Sequence, residues 1–176
     1  MSDPRIPRIV YLLLLILGLL QWTHMYPELP ARMASHFAAD GTPNGYAPKE
    51  MFFVLMSFAL LSSAFLTFIV PIIIASKSPA RINLPNRSYW LSSERSAETL
   101  QFLAAYMSWF GCAVLFVLLY GTSQALNANL PGGHFDSAAM LRVMIGFVTL
   151  VVASTIYLIR RFSASRNPRH SDKPAW

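Results

Sequence analysis

Four long apolar runs dominate the chain: Ile6 to Met25, Met51 to Ala75, Leu100 to Leu126, and Ala138 to Ile159. A bilayer core takes about 20 apolar residues to cross as a helix, and in lipid every backbone N–H and C=O must find its partner within the protein. Runs of this length therefore read as transmembrane helices. Composition agrees, because 55% of the residues are hydrophobic and only 12% are charged, above the roughly 45–50% apolar content of soluble domains. The expected architecture is an all-α integral membrane protein, one domain over residues 1–176, with four transmembrane helices in a bundle and a small extracytoplasmic loop cap. Arg5 and Arg8 mark the start of the first run as they would in a signal peptide. However, "LLLLILGLLQWTHMY" is long for a signal core and ends in bulky residues without a small-residue cleavage site. It is read as a retained helix.

Orientation follows from the basic residues that flank the spans. Eleven of the 14 Lys and Arg residues lie at the start of the first run (Arg5, Arg8), in the second connection (Lys77, Arg81, Arg87, Arg95) or in the tail 160–176 (Arg160, Arg161, Arg166, Arg169, Lys173). Arg32, Lys49 and Arg142 fall on the other side. Both termini and the second connection are thus expected in the cytoplasm and the opening loop outside. The net charge of +6 serves topology and attraction to anionic headgroups, so the lipid bilayer is the expected partner. It argues against nucleic acid, because the charges are spread over three pieces and form no single basic face. The single Cys112, midway along the third run, can form no internal disulfide and reads as a small packing residue.

Small residues recur at helical spacing within the spans: Ala59, Ser63 and Thr67; Ala104, Ser108 and Cys112; Gly146, Thr149 and Ala153. Such stripes let backbones approach closely where lipid supplies no hydrophobic drive, and they predict a packed bundle. No span carries an acid or a histidine at its centre, where transport sites and proton relays show themselves. Apart from Arg8 at the start of the first run, Arg142 is the one charged residue within a span, close enough to its outer end to snorkel. Pro71 should kink or end the second helix locally.

The connection from Ile82 to Leu100 has its own order. Pro85 and Asn86 favour a turn, Tyr89 and Trp90 suit the headgroup level, and Ser92 or Ser93 followed by Glu94 resembles an N-cap. It is read as an interfacial anchor that launches the third helix. The tail is polar and basic and is expected to be disordered beyond its first turn, with His170 solvated.

The opening segment, "LPARMASHFAADGTPNGYAPKE" at 29–50, is longer than a simple connection requires. Structureless loops beyond about 12–15 residues are uncommon, so it should fold onto the bundle or carry function. Pro27 and Pro30 end the first helix, and Thr42 to Gly45 has the residue order of a type I turn with Gly last. Gly41 adds a permissive backbone site, and Pro48 suits the first position of the second helix with Glu50 in its first turn.

Pro30, Met33, His36-Phe37, Gly41, Pro43-Asn44-Gly45-Tyr46 and Lys49 together resemble the signature of a bacterial membrane-protein family, domain of unknown function 1648, which includes toxin-immunity relatives. The resemblance runs over about residues 10–75. It departs at Ala34, where the family often has a second proline, and at Ala38, where it often has Asn or Asp. What it implies is a multi-pass protein of the bacterial cytoplasmic (inner) membrane; it does not imply an enzyme. One branch has immunity or signalling roles, so the expected function is non-catalytic recognition of a ligand, peptide or protein partner by the outer loop.

The alternative is a metal-assisted enzyme acting at the outer leaflet. His24, His36 and His134 fall on the expected outer side with Asp40, and imidazole plus carboxylate suits a divalent ion such as zinc. His24 with Glu28, and His36 with Asp40, would share a face if their segments were helical. No HExxH pattern is present. The plainer account has His36 bonding loop carbonyls while Phe37 and Tyr46 pack on helix ends. Haem would want two histidines on facing helices, and only His24 comes near a span.

Overall fold

The computed structural model describes residues 3–76 and 82–163. Its elements are α1 (Arg5–Met25), a short 3₁₀ turn (Tyr26–Glu28), β1 (Arg32–Phe37), β2 (Pro43–Pro48), α2 (Lys49–Ala64), a π-helical turn (Phe65–Ile69), α3 (Val70–Ser76), α4 (Arg87–Trp90), α5 (Ser96–Ala128) and α6 (Ser137–Ser163). Four helical stretches are long and apolar enough to cross a membrane: Arg5–Glu28, Lys49–Ile73, Ser96–Ala128 and Ser137–Ser163. The chain is a multi-pass membrane protein. It departs from a wholly helical reading only where β1 and β2 pair as a small antiparallel sheet.

The axis of the bundle is α5. Ala105, Ser108, Cys112, Leu115, Thr122 and Leu126 are buried along it, with partly buried Leu119 filling the interval. Those steps of three and four keep one seam facing its neighbours. α1 lies along this seam through Tyr11, Gly18, Trp22 and Met25. The second span joins it through Phe52, Leu60, Ser63 and Thr67.

The small-residue stripes on the second and third spans are contact faces, as expected. Gly111 sits directly against the Thr67 side chain. The hydroxyls in this seam turn back onto their own helices: Thr67 Oγ1 donates to the Ser63 carbonyl at 2.8 Å and Ser108 Oγ to that of Ala104 at 3.0 Å. Cys112 is a packing residue whose thiol donates to the Pro7 carbonyl at 3.1 Å. The stripe on the fourth span behaves otherwise. Gly146, Thr149 and Ala153 are exposed, and α6 packs mainly on α5. Small residues permit close approach but do not compel it, and an apolar helix is equally at ease against lipid.

Pro71 acts one turn earlier than its own position. It offers no N–H to the Thr67 carbonyl, and the strain is taken up as the π-helical turn centred on Thr67. α1 ends through the 3₁₀ turn with Pro27 near its start.

The second connection is bonded to the end of α6. Asn86, in the left-handed region at φ 51°, starts α4 and donates its amide to the carbonyls of Phe162 (3.0 Å) and Ser163 (3.2 Å). Trp90 Nε1 donates to Phe162 as well, at 3.2 Å. These bonds satisfy carbonyls that a helix C-terminus would otherwise leave orphaned. The Arg161 guanidinium lies 4.0 Å from the Phe102 ring centroid, closing the clasp. Ser92 and Ser93 are not the side-chain caps expected: α5 starts at Ser96 after Arg95, and Ser92 contributes its carbonyl to both of those amides. Lys77, Arg81 and the tail from residue 164, with His170, lie outside the described residues.

Candidate functional site

The segment between the first two spans folds as a β-hairpin on one end of the bundle. Its turn is Ala38–Gly41, earlier than the Thr42–Gly45 expected from residue order. The Gly41 amide donates to the Ala38 carbonyl at 2.9 Å, the Ala38 amide donates to the Thr42 carbonyl at 2.8 Å, and Gly41 has φ +88°. That is a type I turn closed by a left-handed glycine, a common three-residue hairpin loop. Asp40 stiffens it: one carboxylate oxygen accepts from the Thr42 amide (2.9 Å) and hydroxyl (2.7 Å). These bonds, the hydroxyl's first, hold the Asp40 carboxyl below its ordinary pKa.

Pro43 and Gly45 instead lie in β2, because proline's fixed φ is compatible with the start of an edge strand. Gly45 pairs with His36, whose side chain lies across it; a Cβ at position 45 would come 3.0 Å from that of His36. Pro48 precedes α2 in an extended conformation, and the first helical residue is Lys49.

Three contacts fasten the hairpin. Asn129, at the end of α5, accepts from the Ala34 amide at 2.7 Å and donates to the Ala34 carbonyl at 2.9 Å, taking the place of a neighbouring strand along β1. The same Asn129 amide donates to the Ala125 carbonyl at 2.7 Å. Phe37 stacks on Phe135 in the loop before α6, with centroids 4.3 Å apart and planes 14° from parallel, while Gly41 lies against the Phe135 carbonyl. Lys49 Nζ reaches the Tyr26 and Leu29 carbonyls (3.4 and 3.5 Å) and stands 4.4 Å from the Tyr26 ring centroid, tying the start of α2 to the end of α1. Beneath, Leu29 and Met33 enter the core.

The motif residues thus divide. Gly41, Phe37 and Lys49 hold the hairpin together and to the bundle, and Pro43 opens β2 opposite Phe37. Pro30, His36, Asn44 and Tyr46 face outward, Tyr46 at 56% exposure. The plainer account of the loop needs two corrections: His36 Nδ1 pairs with the Ser35 hydroxyl at 3.0 Å and no carbonyl, and Tyr46 is largely exposed.

The metal reading is also corrected in its geometry. Among the described residues no group of three or more His, Cys, Asp or Glu is placed to hold an ion. His36 sits in a strand and Asp40 in the turn, so the helical spacing that would join them is absent, and Asp40 is engaged by Thr42. His24 lies exposed in the last turn of α1 and His134 exposed in the loop before α6. Asp136 caps α6 by accepting the Ala139 amide at 2.8 Å.

Asn129, Phe135 and Gln124, whose side-chain carbonyl accepts the Asp136 amide at 3.3 Å, were not singled out from sequence. Their one signal is that polar Gln124, Asn127 and Asn129 interrupt the end of an apolar run. No curated protein and no solved structure matches the chain. Residues 12–61, from within α1 through the whole hairpin into α2, match the family model described as Domain of unknown function (DUF1648), in agreement with the resemblance that the motif carries.

Proposed function

We propose that this chain is a non-catalytic protein of the bacterial inner membrane whose hairpin recognises a ligand, peptide or protein partner on the extracytoplasmic side, in an immunity or signalling role. The bias of basic residues toward the opposite end supports that orientation. The observation that carries the reading is the division of labour in the hairpin. Buried and bonded residues fix its shape, while His36, Asn44 and Tyr46 project from it exposed. A tyrosine held out on a rigid two-stranded element is the kind of group that anchors an interface, since it offers large contact area at small entropic cost.

The test is complementation. A deletion strain carrying the His36→Ala, Asn44→Ala, Tyr46→Ala triple variant, inserted at the wild-type level, should fail to recover wild-type fitness. Asn44→Cys should also react with a membrane-impermeant maleimide on intact cells, against the silent background of buried Cys112. Full complementation by the triple variant, or protection of Cys at position 44, would refute the proposal.

A further inference from the structure

α6 is fastened at both ends and open between them. Near the hairpin, Gln124 of α5 accepts the Asp136 amide and Phe135 stacks on Phe37; at the far end, Asn86 and Trp90 hold the Phe162 carbonyl. Between these clasps α5 and α6 part around a groove of about 570 Å³, walled by Trp109, Ala113 and Phe116 on one side and by Gly146, Phe147 and Leu150 on the other. A Cβ on Gly146 would meet nothing within 4 Å, so this glycine leaves space rather than admitting a neighbouring helix.

Arg142 stands one helical turn from Gly146, on the hairpin side and on the flank of the groove. It is exposed and has no ion-pair or hydrogen-bond partner among the described residues. A guanidinium within a span is costly unless it meets an anion or water. One molecule answers both features: an amphiphile with an anionic head and a hydrocarbon chain. The eight helical steps from Arg142 to Leu150 cover about 12 Å, within the ~15 Å depth of one leaflet. The groove is apolar and open along one side, so it admits a hydrocarbon chain.

We propose that the α5–α6 groove binds one anionic phospholipid of the hairpin-side leaflet, its phosphate on Arg142 and an acyl chain running past Gly146 to Leu150. The site is independent of the recognition surface on the hairpin. Native mass spectrometry of the full chain, released from detergent with dioleoyl phosphatidylglycerol or dioleoyl phosphatidylcholine, tests it. The wild type should retain one phosphatidylglycerol about fivefold more tightly than phosphatidylcholine, the preference expected of one basic residue near a headgroup. Arg142→Gln should make the two lipids equal. Gly146→Leu, which fills the groove, should reduce both to non-specific adducts, and Leu150→Trp should do the same from another exposed position on the same wall. Equal retention of the two lipids by the wild type would overturn the proposal, as would undiminished phosphatidylglycerol on folded Gly146→Leu and Leu150→Trp. A chain dimer that Gly146→Leu abolishes would do so too, by assigning the groove to a second copy.

Discussion

Replacing Asn129 with alanine should release the hairpin while leaving the bundle intact. The side chain makes two bonds to Ala34 and one to Ala125. Ala34 is 3% exposed, so without Asn129 its amide and carbonyl are left largely cut off from water. Each unsatisfied group costs about 1–3 kcal/mol, and because a surface hairpin can shift to admit water the lower half of that range applies, about 2–4 kcal/mol together. At 1.4 kcal/mol per factor of ten this favours local opening by about 30- to 700-fold. Hydrogen–deuterium exchange in detergent micelles reads the effect directly: peptides covering residues 33–37 should exchange faster by that factor, and those covering residues 105–115 of α5 should not change. Asn129→Asp keeps the acceptor for the Ala34 amide and loses both donations, so it should fall between alanine and wild type. Unchanged exchange of the hairpin in Asn129→Ala would refute the reasoning. Equal acceleration along α5 would do so as well, by showing that Asn129 supports the helices and not the hairpin.

Lys49→Met removes two carbonyl contacts and the contact with the Tyr26 ring while keeping most of the aliphatic stem, and should cost about 1–2 kcal/mol. A thermal melt in detergent checks it, with Lys49→Arg expected to recover part of the loss and an unaltered melt counting against the tie between α1 and α2. The Asp40 carboxyl, lowered by its bonds from Thr42, stabilises the turn at any pH above the ordinary carboxylate range. That contribution fades as pH falls through the lowered folded value. Exchange at the Thr42 amide, corrected for its intrinsic pH dependence, should therefore quicken in acid, and Asp40→Asn should abolish the transition.

The spans were legible because lipid leaves a long apolar run so few alternatives, and their ends moved by four residues at most. The hairpin was not legible. Proline and glycine in "TPNG" favour a turn locally, yet the register is decided at a distance, where Asn129 engages Ala34 and Phe135 takes Phe37. At position 34 the departure from the family pattern has a physical content. A proline there would have no amide for Asn129 to accept, so this chain's alanine is what allows the paired bonds. At position 38 the turn uses only backbone groups, so alanine serves.

The histidines show why spacing misled. His36 and Asp40 are four apart, which gathers ligands on a helix, but in a strand and turn the side-chain period is two and the chain reverses between them. Sequence spacing therefore implied convergence where the backbone produces separation. A helical cap would have gathered the polar groups into a pocket. A hairpin spreads them over a flat exposed face, with Pro43 and Pro48 at the two ends of its outer strand blunting indiscriminate strand pairing. A surface of that kind suits contact with another molecule's side chains better than enclosure of an ion. Tyr46, Asn44 and the exposed edge of His36 are therefore the positions on which the proposed recognition is to be tested.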